Sequence, residues 1–244
     1  MKRFTRTTAG LAATAATAAA LIGMSGTALA ASPTPVASAS PAHQGQDLAA
    51  IQKKAAADIA RRLASLSVAI NDVTNSTAIS SADKTTLLAT LNGDVTGLTA
   101  LGTTIAGDTT AQQALTDSKT IYTGFRVYAL ALPQVHFAAA ADTITVTVLP
   151  KLTDAQSKLA ALLAGVDSGK NTPAVQALMT DLGNQITAIT SETSGLSATV
   201  LAYTPAQYDA NHALLSPARA SLAISRNDSK TARNDIATVV ADLK

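Results

Sequence analysis

From about Asp47 to the C-terminus, apolar residues recur at alternating spacings of three and four, and no other feature constrains the fold as strongly. Ile59, Leu63, Leu66, Ile70 and Val73 keep this alternation. So do Val175, Met179, Leu182, Ile186, Ile189, Thr193, Leu196, Val200 and Tyr203, and again Leu215, Ala218, Leu222, Ser225, Ser229, Ala232, Ile236, Val239 and Leu243. Such spacing gathers each series on one stripe of a helix, the 3.5-residue signature of long helices packed side by side. The pattern predicts an all-α, elongated bundle of about five heptad-patterned helices. Punctuation by "NSTAISSAD", "AGDTT", "GVDSGKNTP" and "AYTPAQ" places them near 47–74, 81–106, 111–164 (bent), 173–203 and 205–243. Pro133, Pro150 and Pro217 are each expected to kink their helix, since proline removes a donor and crowds the preceding turn.

One stretch competes with this reading. "TITVTVL", 143–149, alternates Thr with Ile or Val as a strand does. Nothing else in the chain alternates this way, and a strand without a partner is not stable. The series Ile144, Val148, Leu152, Leu159, Leu162 and Val166 also continues a helical stripe, so helix is the expectation here, bent near Pro150.

The N-terminus reads differently. Lys2, Arg3 and Arg6 precede the apolar "AGLAATAATAAALIGM", and "ALA" at 28–30 supplies the small residues a signal peptidase requires. Residues 1–30 are therefore expected to be a signal peptide, and 31–46, rich in Pro, Ser and Ala, a disordered linker. Residues 47–244 form the single helical domain. Removing Lys2, Arg3 and Arg6 from the 18 basic residues leaves 15 against 16 acidic ones, with no basic cluster. Nucleic-acid binding is excluded on that ground. There is no cysteine, so disulfides, thiol catalysis and thiolate metal sites are excluded as well. No apolar run after the leader is long enough to span a bilayer. The expected destination is the extracellular space or the cell wall.

Chemistry-bearing residues are scarce. Of seven aromatic residues, Tyr122, Phe125, Tyr128 and Phe137 fall within "YTGFRVYALALPQVHFAAAAD", 122–142, together with Arg126 and His136. Two overlapping stripes, Tyr122-Phe125-Ala129-Leu132-His136 and Ile121-Phe125-Tyr128-Leu132-Val135, predict one central helix apolar nearly all round. Arg126 and His136 would then be costly polar groups needing partners, or the lining of a ligand pocket with Tyr122 and Tyr128. "RVYALALPQVHFAAAAD", with the preceding "GDVTGLTALGTTIAGDTT", resembles a segment of uncharacterised secreted alanine-rich helical proteins of actinobacteria, which carry R-V-Y-x-L-x-x-P-x-x-H. The likeness covers about residues 80–145. It implies an exported all-helical product in which Arg126, Tyr128, Pro133 and His136 matter as a unit, and it brings no activity, substrate or cofactor.

Asp209 and His212 stand at i, i+3, the spacing with which helix bundles hold metals, but a metal site needs further inward carboxylates that the core positions lack. No nucleophile elbow, phosphate loop or dinucleotide fingerprint is present, and no metal, cofactor or catalytic set is expected. The C-terminal helix offers a surface instead. "SRNDSKT" followed by "ARNDIAT" puts Arg219, Arg226 and Arg233 on one flank of its stripe and Asp228, Asp235 and Asp242 on the other. Opposite charges so placed let helices select one another, which predicts a protein partner or self-association through this helix, or else a solvated edge. The leading expectation is a non-enzymatic interaction protein. A carrier of a small apolar ligand near His136 is the alternative, and an enzyme using His136 and Arg126 comes last.

Overall fold

A computed structural model describes residues 47–244. The expected leader (1–30) and linker (31–46) lie outside the described residues. Every regular element among the described residues is helical: α1 Leu48–Asn75, α2 Ser81–Gly107, α3 Ala111–Thr123, a π turn Val127–Ala131, α4 Leu132–Asp142, a second π turn Thr143–Val148, α5 Leu149–Ala164, a 3-10 turn Ser168–Lys170, α6 Pro173–Thr193, α7 Leu196–Leu201, α8 Pro205–Ala210 and α9 Ser216–Asp242. None of these helices is long and apolar enough to cross a membrane.

Short polar side chains start the helices. Asp47, Ser80, Thr110 and Thr172 each accept a first-turn amide, from Ala49, Asp83, Gln113 and Val175 respectively. Thr204 and Gln207 close a reciprocal capping box at α8. These contacts satisfy amides that have no partner within the helix.

Three groups of helices follow from the buried faces. α1, α2 and α3 enclose one core of Ile51, Ile59, Leu66, Val73, Leu87, Leu91, Leu98, Ile105 and Ile121. Burying each such side chain stabilises the fold by about 1.5–3 kcal/mol. α6 and α9 pack along their length, with α5 against both, around Leu152, Leu182, Ile189, Leu222 and Ala232 and, further along, Leu159, Val175 and Val239. α4 joins the two: its Val135 and Ala138 belong to the first core and its Ala141 to the second. α7 lies against α4, where buried Gln134 donates to the carbonyls of Val200 and Tyr203 at 2.8 and 2.9 Å. That side chain supplies partners for carbonyls at the end of a six-residue helix.

The structure corrects the expected helix boundaries in three places. The stretch 111–164 is not one helix, because it breaks at 124–126, where Arg126 adopts a left-handed backbone (φ 46°). The series from Val175 to Tyr203 is interrupted at Ser194 and Gly195, with Gly195 at φ 65°. The last segment breaks between α8 and α9, so Pro217 lies in the first turn of α9, where its missing donor costs nothing. Pro133 and Pro150 also sit in the first turn of an α-segment, each directly after a π turn. There the Leu132 and Leu149 amides bond to Val127 and Ile144, five residues back. A wider turn ahead of each proline relieves the ring's clash with the carbonyl four residues earlier. The ambiguous stretch "TITVTV" is thus helical, with the Thr143 and Thr145 hydroxyls bonded to the Ala139 and Ala141 carbonyls.

Two groups on α2 yield direct tests. A Cβ on Gly97 would come 2.5 Å from Phe125, whereas one on Gly93 meets nothing within 4 Å. Alanine gains about 1 kcal/mol over glycine inside a helix, but overpacking costs about 1–3 kcal/mol. Gly93→Ala should therefore raise the urea midpoint and Gly97→Ala lower it. Burial pushes the Asp94 carboxyl up to about 6. Its folded form holds the proton more tightly than the unfolded chain, so it stabilises at low pH and loses that contribution as pH rises from about 4 through 6. Asp94→Asn should flatten stability across this window, as read by thermal melts at stepped pH.

Candidate functional site

Asp58 lies on α1 and is 4% exposed. Its carboxylate accepts from Lys54 Nζ at 2.7 Å, from the Arg61 guanidinium and from the Tyr122 hydroxyl of α3. The Lys54 hydrogen bond first, and then that of Tyr122, hold its carboxyl well below the usual carboxylate range. Lys54 is raised in turn by the same two partners. One turn on, Arg62 is 8% exposed and donates to the Asp58 carbonyl at 2.9 Å. Its guanidinium stands 4.6 Å from the Tyr122 ring centroid and 5.3 Å from that of Tyr128. Each cation–π contact contributes about 0.5–2 kcal/mol. The Tyr128 hydroxyl reaches Ser65 at 3.3 Å.

The break after α3 makes this arrangement possible. With Arg126 left-handed, its carbonyl accepts the amides of Ala129, Leu130 and Ala131 and starts the π turn. Tyr122 and Tyr128, on either side of the break, converge on one guanidinium. Arg126 itself turns away to pair with Asp209 of α8, its guanidinium 5.7 Å from the Tyr208 ring. His212 meets the same ring edge-on at 5.2 Å. Asp209 is thereby engaged by an arginine, and no group of three metal-ligating side chains occurs among the described residues.

Of the four candidate residues, Tyr122, Arg126 and Tyr128 border one depression of about 170 Å³ together with Arg62, and His136 lies apart from it. Tyr122 and Tyr128 are 39% and 50% exposed and share Arg62, while Arg126 belongs to an ion pair with α8. His136 is neither a core residue nor close to the tyrosine pair. It is exposed on α4 and lines a depression with Phe137, Arg219, Leu222 and Arg226. The single central helix apolar all round is replaced by a broken one with solvent on one side.

Asp58 and Arg62 were missed in the sequence, although a signal exists. Ala55, Ile59, Arg62, Leu66, Ala69 and Val73 also alternate by three and four, and all six are buried. Arg62 stands at a core position of that series. Reading Leu63 and Ile70 as the inward residues moved it to the outside.

Further concave surfaces lie beside Asp58 and beside His136. A cavity of about 430 Å³ between α1 and α3 has Ile51, Ala55, Leu115 and Ile121 as its apolar lining, with Lys54 and Lys119 also bordering it. On the other side, depressions of about 320 and 300 Å³ follow one another between the α4–π segment and α9. Arg226 borders both, Arg219 the first and Arg233 the second. Comparison of the chain with protein-family models, with curated proteins and with solved structures finds no match.

The Asp58 cluster ties α1 to α3 and should contribute to stability. Asp58→Ala leaves Lys54, Arg61 and Tyr122 without their shared acceptor and should cost about 1–3 kcal/mol, while Tyr122→Phe, which keeps the ring over Arg62, should cost about 0.5–1.5 kcal/mol. Chemical denaturation at neutral pH measures both.

Proposed function

We propose that this chain is an exported, non-enzymatic helical-bundle protein of the cell envelope or extracellular space that binds an acidic protein partner along α9. The observation that carries this reading is the row of Arg219, Arg226 and Arg233. All three are exposed, none forms an ion pair among the described residues, and together they border the two depressions beside α4. Seven-residue steps along a helix separate them by roughly 10 Å each. Half-buried Phe137 adds apolar surface between them, with Ile144 and Leu222 buried beneath, and exposed His136 adds an imidazole.

Within the acidic flank, Asp235 is engaged inside the fold and Asp242 is exposed. Asp235 accepts from Gln185 of α6 at 2.8 Å, and Asp228 and Asp235 are half-buried. Pairing two copies through alternating charges needs both signs displayed together. On α9 the arginines border the groove while Asp235 is drawn toward α6, which favours a foreign acidic segment over a second copy. The basic leader followed by "ALA" supports export. The absence of any catalytic constellation in the sequence supports a binding role.

Reversing Arg226 and Arg233 to Glu tests the reading. Wild-type bait should recover from envelope and medium fractions a partner that moderate salt releases, and the reversed bait should recover at least tenfold less. Equal recovery by both would sink it. A wild-type mass of two chains in light scattering, falling to one on reversal, would shift the assignment to self-association.

A further inference from the structure

The α1–α3 cavity is remote in chemistry from the arginine row and has a different kind of lining. Its volume of about 430 Å³ falls in the range of small-molecule sites. Ile51, Ala55, Leu115 and Ile121 line it with hydrocarbon, and Ile51, Ala55 and Ile121 are themselves core residues, so the floor is part of the packed core. Most of the polar groups on its border are already engaged. The Asp58 carboxylate is already occupied by Lys54, Arg61 and Tyr122, and Asp47 is occupied in capping α1. Lys119, exposed on α3, makes no ion pair among the described residues and is the one lysine of the lining left without an anion. Beside it, the Ser118 hydroxyl is shielded from water and has no hydrogen-bond partner. Thr116 and Thr123 of the same helix, by contrast, bond to the carbonyl four residues back. With no partner of its own, this hydroxyl has its donor available to an incoming oxygen.

From these groups we infer that the cavity binds a small amphiphile with one anionic head, an apolar body ending in a single carboxylate. The body would lie on Ile51, Ala55, Leu115 and Ile121, and the carboxylate would meet the Lys119 ammonium with the Ser118 hydroxyl donating. A carboxylate suits the site better than a dianionic head, because Asp47 and Asp58 also border the cavity and only one cation is unpaired.

Decanoate, kept below its micelle concentration, is a direct probe of the full chain by titration calorimetry. Saturable one-to-one binding is expected, with decanol at least fivefold weaker. Ala50→Trp, at an exposed position on the cavity's border, should weaken decanoate at least tenfold by filling the entrance. Lys119→Glu, exposed and outside the core, should weaken decanoate at least tenfold while leaving decanol unchanged, with circular dichroism confirming that the helices persist. The inference is overturned if decanoate shows no saturable binding, if decanol binds as tightly, or if Lys119→Glu leaves decanoate affinity intact. Capture of decanoate only when it is presented in vesicles would also overturn it, since that assigns the affinity to a membrane surface.

Discussion

The guanidinium of Arg62, held inside the α1–α3 bundle between two tyrosine rings, is the contact on which the centre of this protein depends. A buried arginine needs its donors met and its charge compensated. Here the Asp58 carbonyl takes one donor, the faces of Tyr122 and Tyr128 take the charge, and the Asp58 carboxylate next to it is neutralised by Lys54 and Arg61. Because Tyr122 lies in the last turn of α3 and Tyr128 in the following π turn, both rings reach Arg62 only if the chain bends between them. The left-handed Arg126 provides that bend, a conformation that costs a non-glycine residue energy and is retained because its side chain pairs with Asp209. One polar knot therefore ties α1, α3, the π turn and α8 together.

Low charge content makes such a knot consequential. Only 14% of residues are charged, and along α2 the outward positions carry threonines whose hydroxyls bond back to the carbonyl four residues earlier, as at Thr85, Thr90 and Thr99. These hydroxyls keep the surface polar without long charged side chains. The ion pairs that remain are few, so the placement of each arginine carries information. Arg62 and Arg126 are consumed within the fold, and Arg219, Arg226 and Arg233 are left over on α9. That contrast separates cations engaged within the fold from those exposed on its surface.

Much of the helical content was legible in the sequence. The bounds of α1 and α2 fall within about one residue of those expected, because caps such as Ser80 and Thr110 have local causes. The breaks at 124–126 and 194–195 were not legible. Phe125 and Arg126 belong to no turn vocabulary, and each apolar series runs through its break without a change of rhythm. His136 was misplaced for the same reason, since a stripe drawn across a broken helix assigns faces that the folded chain does not have.

Spacing of apolar residues by itself determined that the chain is helical and that α1, α6 and α9 present one face inward, because burial of hydrocarbon depends on periodicity alone. Tertiary structure decided which of two overlapping stripes on α1 faces the core, and with it the burial of Arg62. It also decided that Arg126 meets Asp209, 83 residues away, and that a cavity opens between α1 and α3. The physical reason is that a charged or aromatic side chain has several acceptable environments. Only the packing of distant helices selects one of them.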